Sequence, residues 1–294
     1  MTMKPWLGIL GALLLAGCGT SGERIDPENL SPELQAHVDR TLESLVFVEG
    51  GTFMMGDVGF ERTLSDGTVI NRFWTGDRDT HPAHEVTLDS YSIQRYEITY
   101  EEYDLFTKTS GRELVRGHRL HNESRAPNLP AWGMDWYDAR AYCHWLGELT
   151  GLPFDLPTEA QWEYAARSRG KNVPYATDDG TIDRGRNYRG PDTPSGETPP
   201  GSFPPNPLGL YDMMGNVPEW VLDWYGPYTE EPKHNPQGPD DGARKVQRGG
   251  SWLGTAEYNM VFRRAPRSPD NTGGGGGIRC VVNQTSPIEA GPLE

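Results

Sequence analysis

Apolar positions recur along this chain in two rhythms, and the switch between them marks its elements. "LVFVEGGTFMMG" (45–56) places β-branched and aromatic residues on both sides of a Gly-Gly break, which predicts a hairpin. Residues 57–80 are polar and predict a long loop. "HEVTLDSYSIQRYEIT" (84–99) alternates apolar with polar side chains, as one or two half-buried strands do. From Thr99 the period lengthens. Thr99 with Glu102 three residues on is a capping box, and it opens a helix through Tyr103 and Phe106 that stops near Gly111. After Asp135, Ala139, Tyr142, Cys143, Leu146 and Leu149 form one apolar stripe at helical spacing, closed by Gly151. Thr158 and Gln161 form a second capping box, for a helix expected to end at Gly170. Beyond 171, Gly, Pro and Asn punctuate short aromatic pieces, which predicts irregular strands and ordered loops. The glycine run 273–277 predicts a mobile loop, and no fold-length repeat is present.

The N-terminus carries a different signal. Lys4 precedes an apolar run, 6–16, far short of the about 20 residues that span a membrane. The run ends in Leu15-Ala16-Gly17-Cys18, which looks like a bacterial lipobox, with Cys18 acylated after cleavage. Two or three acyl chains on one residue hold a protein firmly on a membrane. Gly19, rather than Asp, follows the cysteine, so the expected address is the outer membrane of the cell envelope, with lipid as the sole membrane contact. This divides the chain into a signal peptide (1–17), a lipidated cysteine and tether (18–44), one domain (45–285) and a short tail (286–294). Within the tether, 32–45 is compatible with a short helix.

Composition narrows the class. The chain has 294 residues, 36 of them Gly and 25 Pro, yet it is 10% aromatic with nine Trp, so it folds, but around loops. A net charge of −15 disfavours nucleic acid and anionic lipid as partners. No nucleophile motif or phosphate-binding glycine loop is present. His81 and His84, and again His118 and His121, are spaced three apart, but both pairs sit in non-helical stretches that favour a surface role without metal. "RGGSWLGTAEYN" (248–259) has the bare backbone of a site, since glycines take positive φ and admit close approach.

Five blocks, "WYDARAYCHWL", "LPTEAQWEYAARSRG", "NPLGLYDMMGNVPEW", "RGGSW" and "GIRC", occur in order over about 45–283. Together they resemble the formylglycine-generating enzyme, or sulfatase-modifying factor, family. The resemblance implies an α+β fold related to C-type lectins, loop-rich and low in regular secondary structure. The family's oxidases hold copper with two cysteines placed three and eight residues after the motif serine. Here that serine is Ser251, and the two positions are Gly254 and Asn259, so no thiolate can take a cuprous ion and no copper is expected. The resemblance further implies a disulfide between Cys143 and Cys280; two buried free thiols are the alternative. It implies calcium held by Asp212, Glu219 and the carbonyls of Gly215 and Val217, oxygen ligands that suit the ion. A second calcium would use Asn187 and the Tyr188 carbonyl. Asp155 stands where the family usually has arginine, so its ion-pair partner must differ here.

Two functional readings follow from the resemblance. In the first, the domain is a non-catalytic accessory or recognition module for a protein or peptide. Its groove would be lined by Ser251, Trp252 and Tyr258 and rimmed by Arg263, Arg264 and Arg267, since aromatics and arginines anchor interfaces. A narrower form is a ligand binder diversified by a retroelement between 251 and 279. In the second, it is an exported oxidoreductase that needs no copper cysteines and acts on a peptide-derived product, with Ser251, Tyr258 and Glu219 as candidate acid–base groups.

Overall fold

The structure is a computed structural model that describes residues 27, 29–117, 123–189, 196–274 and 276–288. In chain order the elements are helix α1 (Pro32–Glu43), strands β1 (Leu45–Val48), β2 (Gly51–Met55), β3 (Phe60–Thr63), β4 (Val69–Arg72), β5 (His84–Leu88) and β6 (Tyr91–Gln94), helices α2 (Tyr100–Ser110) and α3 (Trp136–Thr150), β7 (Phe154–Asp155), α4 (Glu159–Ala166), β8 (Glu219–Trp224), β9 (Lys233–His234), β10 (Lys245–Arg248), β11 (Ala265–Arg267) and β12 (Val281–Val282). They form sheets of order β1-β6-β12-β7, β11-β10-β8 and β2-β5-β9, and a separate β3-β4 pair.

The locally coded helices lie where the spacing places them. Thr99 and Glu102 complete a capping box at α2, and Gly111 closes it at φ 69°. Asp135 caps α3, and Gly151 ends it at φ 71°. Thr158 and Gln161 cap α4, whose eight side chains are all buried. That helix stops four residues before Gly170, because the chain turns at Ser168, Arg169 and Gly170, all at positive φ.

The expected hairpin at 45–56 does not form. β1 pairs antiparallel with β6, whereas β2 pairs antiparallel with β5, in a different sheet. Gly50 makes the crossing possible: a Cβ there would sit 2.3 Å from the Leu88 carbonyl oxygen. The expected loop at 57–80 contains the antiparallel β3–β4 hairpin. Neither strand buries a face, so no alternation betrayed it. The domain also starts earlier than 45. α1, capped by Ser31, buries His37, Val38 and Thr41 against the body of the fold. Nor is the whole glycine run exposed, since Gly276 and Gly277 are buried and Gly277 pairs with Glu219.

Two apolar cores flank the central sheet. One gathers α2 and α3 around Tyr103, Phe106, Tyr142 and Trp145, and the other packs α4 against β2, β5 and the 246–262 segment. Cys143 on α3 and Cys280 beside β12 form a disulfide, so the pairing implied by the resemblance is present. Asp155 has its answering charge: Arg140 on α3 donates two hydrogen bonds to it, at 2.9 and 2.8 Å, with His144 3.4 Å away.

His37 yields a pH prediction. Its ring stacks on Trp145 at 5.3 Å, and burial, aided by Arg40, pushes the imidazole from 6.5 down to about 4. Between those values the unfolded chain binds the extra proton and the folded chain does not. The contribution is therefore complete above pH 6.5 and is lost as pH falls towards 4, about 3 kcal/mol in all. Thermal midpoints measured from pH 7 to 4 should fall more steeply in the parent than in His37→Phe; parallel curves would refute it.

Candidate functional site

β10 delivers Arg248 and then Gly249 and Gly250, at φ 91° and 76°, and the loop that follows folds back over a short turn at Glu257–Asn259. Asn259 is buried within it. Its Oδ1 accepts the Ser251 N–H at 2.9 Å, and its Nδ2 lies 3.4 Å from the Gly254 carbonyl, which also accepts from the Tyr188 hydroxyl at 2.6 Å. A Cβ added at Gly254 would stand 2.6 Å from Asn259 Oδ1, and one at Gly250 2.0 Å away. Positions 254 and 259 therefore do converge, as a thiolate pair would need. A neutral amide fills the space between them, and it cannot bind a cuprous ion.

Beside this filled position a cleft of about 500 Å³ opens, and Ser251, Tyr258, Arg263, Arg264 and Arg267 all contribute to its lining. Trp252 does not; it turns into a narrower hollow shared with Asn187, Tyr188, Asp212 and Gly215. The rim also differs from expectation at Arg264, which is 7% exposed. Its guanidinium donates to both oxygens of Glu159, at 2.7 and 2.8 Å, and lies over the rings of Tyr225 and Tyr228. Arg263 is half-buried, 2.7 Å from Asp77 and over the Tyr258 ring at 4.3 Å. Arg267 is exposed and has no acidic partner among the described residues.

The cleft stands on an ion network that the sequence did not single out. Glu159 and Glu163 are one turn apart on α4, a spacing that could have flagged a shared face. Glu163 accepts from Arg248 at 2.7 Å, Arg167 at 2.9 Å and the Gly56 N–H at 2.8 Å. Burial alone would raise the Glu159 carboxyl, but Arg264 and Arg248 hold it below its ordinary value. Arg248 stays charged because Glu163 and Glu159 outweigh its burial.

Glu219 lies outside the cleft. It accepts from Arg279 at 2.7 and 3.0 Å and from Trp162 Nε1 at 2.6 Å, and it is fully buried. The same pairing spends the oxygens that a calcium ion would need from it. Asp212 is freer: Oδ2 accepts the Gly201 N–H at 2.7 Å. Burial pushes its carboxyl up to about 6, with Glu219 adding to the rise and Arg279 opposing it. Burial raises Glu97 as well, reinforced by Asp212 and Glu219. Arg279 opposes the rise at both Asp212 and Glu97. Asn187 is committed elsewhere, its Oδ1 accepting the Asp183 N–H at 2.7 Å. Among the described residues no three His, Cys, Asp or Glu side chains converge as a metal cluster. His84 is buried against the Pro82 carbonyl and His81 packs on Phe73, while His118, His121 and Cys18 lie outside the described residues.

Fold and cleft together define a loop-rich α+β domain with an open cleft beside Gly254 and Asn259. The chain belongs to the sulfatase-modifying factor enzyme 1-like domain family, whose model matches residues 31–284. Relatives include the serine/threonine-protein kinase pkn1 of Chlamydia caviae, 32% identical over 81% of this chain, which spans 37% of the kinase's length. The formylglycine-generating enzyme of Streptomyces coelicolor is 31% identical over 82% of this chain and 90% of its own. Among solved structures, PvdO from Pseudomonas aeruginosa superposes with a TM-score of 0.65 at 27% identity, covering 81% of this chain and 93% of its own.

Proposed function

We propose that this chain is a lipid-anchored envelope protein whose domain recognises a protein or peptide in the cleft beside residue 254, without formylglycine chemistry. The observation that carries the reading is Asn259: its amide fills the place of the copper thiolates, while the adjoining cleft stays open. The Cys143–Cys280 disulfide is consistent with an oxidising compartment. Among the described residues no helix is long and apolar enough to cross a membrane. Against the oxidoreductase alternative, neither the Ser251 nor the Tyr258 hydroxyl has a carboxylate or imidazole hydrogen-bonded to it among the described residues, and Glu219 is locked by Arg279. The narrower, diversified-ligand reading draws support from the lining, since Ser251, Leu253, Tyr258 and Arg267 all fall within 251–279. A nearby copy of those codons differing at adenines would establish it, and a genome without one would remove it.

The test is photo-cross-linking in the native envelope. A cross-linking side chain at Leu253, 63% exposed on the cleft, should trap one stoichiometric partner, and the same group at Glu61 on β3 should not. No adduct at 253, or turnover of a small-molecule precursor, would overturn the reading.

Calcium forms part of the same proposal, with Asp212 and the carbonyls of Gly215 and Val217 as its ligands. Support comes from Asp212, which lines a hollow together with Gly215 and whose carboxylate accepts the Gly201 N–H through Oδ2. At a hundredfold excess over Kd the ion would add about 2.7 kcal/mol, roughly 5–10 °C in Tm for a domain this size. Differential scanning fluorimetry with calcium against chelator should show that rise in the parent and lose it in Asp212→Asn. Identical midpoints in the parent would exclude the site.

A further inference from the structure

The cleft has a chemistry more specific than recognition in general. Its lining includes four arginines and not one carboxylate; Arg248, Arg263 and Arg264 are paired with Glu159, Glu163 or Asp77 behind it, and Arg267 has no such partner among the described residues, on a chain of net charge −15. A buried donor in that lining, Gln247 Nε2, lacks a partner among the described residues, on a side chain 1% exposed. A buried donor without an acceptor is costly to leave unmade. Nε2 is a donor, so the group that satisfies it must accept. The antiparallel register pairs Gln247 with Ala265 and Lys245 with Arg267, which sets Gln247 and the exposed, uncompensated Arg267 on one face of the sheet. Pro218, Leu253, Ala265 and Pro266 complete the walls and offer apolar contact next to the charge.

We propose that the cleft takes a peptide carboxylate, held by Arg267 and the Gln247 amide, with the adjacent apolar side chain of the same peptide against Leu253 and Pro266. Planar, doubly donating guanidinium suits carboxylate, and the apolar wall selects a peptide over a free inorganic anion. The proposal rests on the recognition reading above and adds the class of ligand to it. A carboxylate can come from an acidic side chain or from a chain terminus, and the probes separate the two.

The experiment is fluorescence anisotropy on the full chain in detergent, with three labelled octapeptides. These are alternating Leu/Asp with an amidated end, alternating Leu/Asn with an amidated end, and alternating Leu/Asn with a free end. Expected is at least tenfold tighter binding of the Leu/Asp peptide than of the amidated Leu/Asn peptide. If only the free-ended Leu/Asn peptide binds tightly, the terminus is the source; if it matches the Leu/Asp peptide, either carboxylate serves. Arg267→Ala, a surface change that should leave Tm unaltered, should weaken binding five- to tenfold, and Arg267→Lys should recover part of it. Equal binding of all three peptides, or indifference to Arg267→Ala, would overturn the proposal. Should cross-linking at Leu253 trap a partner that none of the carboxylate peptides displaces, the ligand class fails and recognition stands. Should neither experiment give binding, both fail.

Discussion

Replacing Cys143 and Cys280 together by alanine is expected to lower the stability of the domain by about 4–5 kcal/mol in the chain-entropy model. The bridge joins residues 137 apart, so its removal frees nearly half the chain in the unfolded ensemble. Both sulfurs are buried between α3 and the central sheet, and each alanine also leaves a small void, which adds to the loss. The denaturant midpoint of the oxidised parent should therefore fall sharply on reduction, and the reduced parent should approach the double variant. A midpoint indifferent to reductant would show that the bridge carries no stability.

The second large effect is expected at Glu163. Its two oxygens hold Arg248 and Arg167, and all three side chains are at most 1% exposed. Glu163→Gln keeps the shape and removes the charge, leaving two guanidinium groups in the interior with Glu159 as the nearest compensation. Breaking a buried pair in this way costs about 3–5 kcal/mol, or roughly 6–20 °C in Tm at 2–4 °C per kcal/mol. Replacing the exposed Asp183, which pairs with Arg186 at the surface, should cost no more than about 1 kcal/mol. Equal losses in the two variants, measured by urea unfolding, would contradict the buried network.

What the sequence revealed and what it hid divide along the range of the interactions. The capping boxes at Thr99 and Thr158 and the glycine stops at 111 and 151 are written within four residues, and the fold keeps them. The hairpin at 45–56 failed because pairing is settled by partners about 40 residues away: β1 and β2 have equally good strand patterns and go to different sheets. Arg264 was placed on a rim for the same reason. Its partner Glu159 is 105 residues earlier, and nothing local distinguishes it from exposed Arg267. The absence of cysteine at positions 254 and 259 was legible in the sequence. That Asn259 fills the resulting space was not, because it depends on the fold-back of 250–259.

The central sheet carries one more consequence, for the order in which it can close. β12, at 281–282, lies between β6 and β7 and hydrogen-bonds to both, while Arg279 just before it donates to the Gln94 carbonyl and to Glu219. The middle of the sheet is thus supplied by the last strand in chain order among the described residues, and without it β6 and β7 have no shared neighbour. The central sheet therefore cannot close until residues 281–282 dock between β6 and β7, whatever has formed before them.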